Sequence, residues 1–251
     1  MTLIVDEVML REPNLLVPGK KPVGPVKIDW SHSLANGLNA YFILNSNQPQ
    51  DLVTGQTGTL NSGASYAPKS NGMTLDIRYF QADSLSFPYH PNYNIANLDG
   101  FTFLENVYQP TNRIANLYIF APSGSSPTVD GTNLQQILST KYMRWQYKEG
   151  TTTKYVQSTV PIWPTDINID VFYGLRWING TGYKYWVNNV TDIPITTDQI
   201  GSFDTSEPFR IGNISSTFEC GHYWLGLWKR SLTDAEVLSI KSDPYQFLIP
   251  A

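Results

Sequence analysis

A single cysteine, Cys220, excludes intramolecular disulfides and thiolate metal clusters from this 251-residue chain. Charge is scarce as well. Asp, Glu, Lys and Arg make up 15% of the residues and leave a formal net charge of −4, where about 25% charged residues is usual. A general affinity for phosphate backbones is therefore not expected, and nucleic acid is not an expected partner. No window approaches the roughly 18 consecutive apolar residues of a spanning helix, so no membrane partner is expected either. The start, Met1-Thr2-Leu3-Ile4-Val5-Asp6-Glu7, meets acids before any apolar run and has no basic segment. No leader is expected from it. The sequons at Asn179, Asn189 and Asn213 then read as chance, and the expected compartment is a cytosol or something assembled in one.

Catalytic signatures are also missing. His32, His90 and His222 lie far apart, without the spacing of a helical or strand-borne metal site. His222 sits two residues from Cys220 in an aromatic strand, and core packing is the expectation for both. Asp166-Ile167-Asn168-Ile169-Asp170 offers alternate oxygens. A calcium loop would continue with Gly and a later Glu, whereas Val171 and Phe172 follow, so a polar strand face is expected. There is no Gly-rich phosphate loop and no nucleophile elbow. No catalytic residue, cofactor or metal is expected.

Polarity comes instead from neutral side chains: 19 Asn, 22 Thr and 20 Ser. With 7 Trp, 15 Tyr and 11 Phe, the chain has ample material for a core. Residues 1–29 stand apart. Pro13, Pro18, Pro22 and Pro25 remove backbone donors and fix φ, so neither a helix nor a central strand is expected through 12–26. The segment reads either as a disordered tail or as an arm that orders against a neighbour by burying Leu15, Leu16 and Val17.

From Trp30 onward, short alternating runs recur every 8–15 residues, the spacing of a sandwich or barrel. They predict strands at 38–44, 73–79, 84–87, 101–108, 114–121, 134–139, 142–147, 155–160, 169–178, 183–188, 208–212 and 218–229. Asn179-Gly180 predicts a hairpin turn between two of them. One helix is expected. Thr233-Asp234-Ala235-Glu236 is a capping box, Val237, Leu238 and Ile240 give an apolar side, and Asp243-Pro244 stops it.

Two stretches resemble a known family. Leu34-Ala35-Asn36-Gly37-Leu38-Asn39-Ala40-Tyr41-Phe42 followed by Asp51-Leu52-Val53-Thr54-Gly55-Gln56-Thr57-Gly58-Thr59-Leu60 is similar to the first strands of laminin G-like, concanavalin A-like jelly rolls. Phe209-Arg210-Ile211-Gly212 and Trp224 through Thr233, with Glu236, are similar to that family's closing strands and helix. Tyr173 to Trp177 and Tyr183 to Asn189 resemble its middle pair, with Asn189 where Gly is usual. The tail Asp243-Pro244-Tyr245-Gln246-Phe247-Leu248 resembles laminin G-like proteins among the structural proteins of tailed bacteriophages. The resemblance covers about 34–248. It implies an all-β, concanavalin A-like (laminin G-like) jelly-roll sandwich over 30–251, with an extended N-terminal arm over 1–29 and one short C-terminal helix.

A fold of this kind hosts lectins, hydrolases and inert spacers. Glucanases on it resemble one another in a Glu-x-Asp-x-Glu strand, which none of the seven Glu of this chain begins. Tyr89 and Tyr93, in a loop stiffened by Pro88 and Pro91, and Trp163, between Pro161 and Pro164, are the candidate contacts for a glycan or a protein. The resemblance implies a non-enzymatic virion structural protein of a tailed bacteriophage. It would be a capsid decoration or other particle-surface protein, anchored by its arm to major capsid or tail proteins and forming a homo-oligomer. The alternative is a carbohydrate-binding, lectin-like module for host or environmental glycans.

Overall fold

Period-two patterning folds into strands, and a capped 3.6-residue pattern into one helix. The computed structural model describes residues 20–22, 24–44, 49–77, 83–111, 131–137, 140–149, 152–194, 208–212 and 219–251. In chain order the strands begin with β1 (Val26–Ile28), β2 (Leu38–Ile43), β3 (Thr59–Asn61), β4 (Ser65–Lys69), β5 (Gly72–Ile77) and β6 (Ser84–Phe87). They continue with β7 (Gly100–Gln109), β8 (Gly131–Ile137), β9 (Tyr142–Glu149), β10 (Thr152–Gln157), β11 (Ile169–Ile178) and β12 (Gly182–Val187). β13 (Val190–Asp192), β14 (Phe209–Gly212), β15 (Cys220–Trp228), helix α1 (Asp234–Ser242) and β16 (Leu248–Pro250) complete the order. The expected strand at 114–121 lies outside the described residues, as do Leu15, Leu16 and Val17.

Contacts divide the chain into two units: Leu38–Leu232, and Met1–Gly37 with Thr233–Ala251. In the first, an antiparallel sheet runs β13-β12-β11-β7-β15-β5-β4, with β2 beside the second half of β15. Two three-stranded sheets, β10-β9-β8 and β14-β6-β3, face it. The faces meet in one core. Phe42 stacks on Phe209 at 5.3 Å, Phe101 meets Trp145 at 5.5 Å, and Phe103, Tyr173, Tyr185 and Leu225 belong to the same buried cluster. The Tyr185 hydroxyl joins the layers: it accepts from the Trp145 amide and donates to the Val156 carbonyl, both at 2.8 Å. This is the all-β sandwich that the sequence implies.

Strand β15 is buried at all nine positions, so the large sheet is apolar on both faces rather than alternating. Its second face carries Tyr41, Leu104, Phe172, Trp186, Trp224 and Trp228, all buried. Part of the family-like closing motif has a structural reason here. The Thr102 hydroxyl donates to the Arg230 carbonyl and accepts from the Leu232 amide, while Arg176 donates to the Leu232 carbonyl at 2.7 Å. The segment after β15 is thereby strapped across β7 and β11.

In the second unit the capping box forms as expected, with the Thr233 hydroxyl accepting from the Glu236 amide and Glu236 accepting from the Thr233 amide. Val237 and Ile240 are buried, but Leu238 is 58% exposed. It stands about 100° round the helix from Val237 and off the apolar stripe, which corrects its assignment to the apolar side. Gln246 closes the helix end by donating to the Ser239 and Asp243 carbonyls at 3.0 and 2.7 Å. β1 pairs with β16. A boundary between 29 and 30 therefore separates a strand from the unit that holds its partner.

Candidate functional site

The Asp51–Gly58 turn is organised around one carboxylate. Asp51 is buried and accepts from the amides of Tyr41 and Val53 and from the Thr54 and Tyr93 hydroxyls. Burial pushes its carboxyl above the usual carboxylate range, while those hydrogen bonds pull it back down. Gly55, at φ 74°, supplies the left-handed step of the turn. Tyr93 is fully buried and packs on Phe209 at 4.8 Å, so its ring is not a contact surface. The tyrosine expected to face a ligand instead braces the turn from within, because its hydroxyl finds Asp51 and Gln56 there. Trp163 is corrected in the same way. It is 3% exposed, and its indole N–H donates to Gln109 at 2.6 Å.

Tyr89 remains partly exposed. It precedes a one-turn 3-10 segment, Pro91–Tyr93, that His90 caps by accepting from the Asn92 amide at 3.1 Å. Lys229 donates to the Pro91 carbonyl at 3.1 Å, which ties this turn to the end of β15. Beside it lies a cleft of about 410 Å³ lined by Asn97, Asp99, Gly100, Lys229, Arg230 and Ser231. Burial lowers the pKa of Lys229. Its floor is shaped by a close approach: a Cβ on Gly100 would run into the Ser231 hydroxyl. The cleft thus offers an acid, two cations and an amide, next to an aromatic loop. Sequence reasoning found Tyr89 but missed Asp99, Lys229 and Arg230, whose 130-residue separation carries no local signal.

Two other expectations can be placed. Asp170 takes donors from the Tyr223 hydroxyl at 2.7 Å, Ser70 at 2.8 Å and Asn71 at 2.7 Å. Asn168 accepts from Tyr108, and the Asp166 carbonyl accepts from Gln109. The Asn168 and Asp170 side-chain oxygens therefore serve separate protein donors, and no group of three such ligands forms among the described residues.

Cys220 and His222 are buried, as expected, and they belong to a line of groups that resembles a catalytic triad. The sulfur lies 3.4 Å from His222 Nε2, Nδ1 contacts Glu105, and the Tyr173 hydroxyl donates to the other Glu105 oxygen. All four residues are at most 1% exposed. Burial, and then the carboxylates of Glu105, Asp76 and Glu219, push the thiol well above its ordinary range. A nucleophilic cysteine needs the opposite surroundings. The adjoining cavity, bounded by Lys69, Asp76, Ile77 and Cys220, measures about 50 Å³, whereas ligand pockets usually span roughly 300–1,000 Å³. The arrangement suits a satisfied polar core.

No protein-family model and no curated protein matches this chain. Solved structures do. The chain is similar to the binding domain of Paraclostridial Mosquitocidal Protein 1, at 12% identity and a TM-score of 0.64, over 83% of this chain and 53% of that one. It is similar to the binding domain of botulinum neurotoxin DC in complex with rat synaptotagmin II, at 10% identity and 0.62, over 84% and 53%. It is also similar to domain 4 of AbnA, a GH43 extracellular arabinanase from Geobacillus stearothermophilus in complex with arabinotriose, at 11% identity and 0.59, over 80% and 96%. The chain spans about half the length of the two toxin binding domains. At these identities the likeness is one of fold.

Proposed function

We propose that this chain is a non-catalytic recognition module that binds glycan or a glycan-bearing receptor through the cleft between Asn97–Gly100 and Lys229–Ser231 and the Tyr89 loop beside it. The observation that carries this reading is the Lys229–Pro91 bond, which holds an aromatic loop against a preformed polar cleft. An aromatic with a few fixed polar groups is the usual composition of a small-ligand site. Similar folds serve as a toxin's binding domain and as an arabinanase domain in complex with arabinotriose, which supports a binding role. The inert setting of Cys220 supports a non-catalytic one.

The carrier we propose is a tailed-phage virion, with the module on the particle surface and the part of the 1–29 arm that holds Leu15, Leu16 and Val17 as its anchor to neighbouring virion proteins. The Asp243 to Leu248 tail supports this, since it resembles such proteins and its Gln246 closes α1. Binding of the intact protein to a panel of immobilised glycans, including arabinotriose, tests the recognition role. Tyr89→Ala and Asp99→Ala should each weaken binding at least tenfold. No binding by the wild type, or equal binding by both variants, would overturn the assignment of the site. Copy number in purified particles tests the carrier. A chain starting at residue 20 keeps the β1–β16 pair and should fail to incorporate; normal incorporation would refute the anchor.

A further inference from the structure

A second cluster lies on the outward face of the β10-β9-β8 sheet, the side opposite Met143, Trp145 and Tyr147. Tyr155 on β10 is 59% exposed, the most exposed aromatic of its unit among the described residues. It pairs directly with Gln146, and Gln157 pairs with Arg144, so the four side chains share one face. Arg144 lies over the Tyr155 ring with Cζ 4.4 Å from the centroid, and its Nη2 donates to the Gln157 side-chain oxygen at 3.0 Å. Stacking and hydrogen bond together fix a side chain that is otherwise rich in rotamers. Arg144 Nε is buried without an acceptor. The ion pairs among the described residues, Lys69–Asp76 and His222–Glu105, do not involve Arg144. The guanidinium therefore has no carboxylate partner among the described residues.

We infer that this face binds a sugar residue bearing a carboxylate. The open side of the Tyr155 ring takes the flat C–H face of a pyranose, Arg144 pairs with the carboxylate, and the half-buried Gln157 takes a hydroxyl, while Gln146 is buried beneath them. A guanidinium fork matches a carboxylate in geometry as well as charge. Side chains fixed on adjacent strands hold that geometry better than a loop can. The footprint is one aromatic, one cation and one amide, the scale of a single sugar. A stable protein interface needs roughly 800 Å² from each partner, and an acidic sugar is the better occupant.

This inference rests on the recognition-module reading and extends it to a second, anionic subsite. The test is isothermal titration of the intact protein at low salt with trigalacturonate and with its neutral counterpart, galactotriose. Trigalacturonate should bind at least tenfold more tightly than galactotriose. Tyr155→Ala and Arg144→Gln should each remove most of that difference, and Arg144→Lys should keep only part of it. Tyr155→Ala also keeps the test independent of folding, because that ring is exposed, and its melting temperature should stay within about 2 °C of wild type. Equal affinity for the two trisaccharides, no binding of either, or a Tyr155→Ala protein that binds like wild type would overturn the inference. If trigalacturonate fails while a panel glycan still binds in a Tyr89-dependent way, only the anionic subsite falls.

Discussion

Removing the Glu105 carboxylate should destabilise the protein through the donors it leaves behind. Glu105 is fully buried and accepts from Tyr173 and from His222 Nδ1. In Glu105→Ala both donors lose their acceptor in the core, at about 1–3 kcal/mol each, and the truncated side chain leaves a void. A total of about 3–6 kcal/mol follows, a large part of the roughly 5–15 kcal/mol by which domains are stable. Glu105→Gln should cost only about 1–2 kcal/mol. Its oxygen still accepts from Tyr173, and its amide can donate to Nδ1 once His222 carries its proton on Nε2, facing the Cys220 sulfur. Tyr173→Phe deletes one donor, and the double variant Glu105→Ala/Tyr173→Phe should fall short of additivity by at least about 1 kcal/mol, because the hydroxyl that Glu105→Ala orphans is then absent. Urea titration followed by tryptophan fluorescence measures all four. A loss below about 1 kcal/mol for Glu105→Ala, or strict additivity in the cycle, would refute the reasoning; that carboxylate would then not be holding the core.

Three other perturbations test separate parts of the account. Because burial and carboxylates hold its thiol protonated, Cys220 should resist a thiol-specific reagent at pH 8 in the native protein and react stoichiometrically in denaturant; rapid native labelling would contradict that setting. Gly174→Ala should cost about 2–3 kcal/mol by overpacking, since its Cβ would meet the Leu104 side chain and come within 2.9 Å of the Phe103 carbonyl, which the sheet holds in place; an unchanged urea midpoint would count against this packing. Burial lowers the pKa of Lys21 to about 7. Between that value and the ordinary 10.5 the unfolded chain binds the extra proton, so stability should rise with pH over about 7–10, by at most about 1.4 kcal/mol per unit. Lys21→Met should flatten that rise, and an unchanged slope would refute the assignment.

What sequence alone determined here is local or periodic. The capping box at Thr233 was legible because its two partners sit three residues apart. β6 announces itself through alternation of Ser with Leu85 and Phe87, β11 through aromatic and β-branched residues, and β15 through a run of aromatics. β4 did not, since Ser65-Tyr66-Ala67-Pro68-Lys69 is polar and contains a proline, which only its place at the sheet edge permits. Tyr89, Tyr93 and Trp163 had equal claims as exposed aromatics. Only the tertiary structure separated them, by putting Asp51 within reach of one hydroxyl and Gln109 within reach of one indole. The same holds for both binding surfaces. Lys229 meets Pro91 across 138 residues, and Arg144 crosses to Tyr155 because two strands pair in one register rather than another. A polar atom seeks whatever partner the fold brings within about 3 Å, and that distance is set by packing, not by neighbours along the chain.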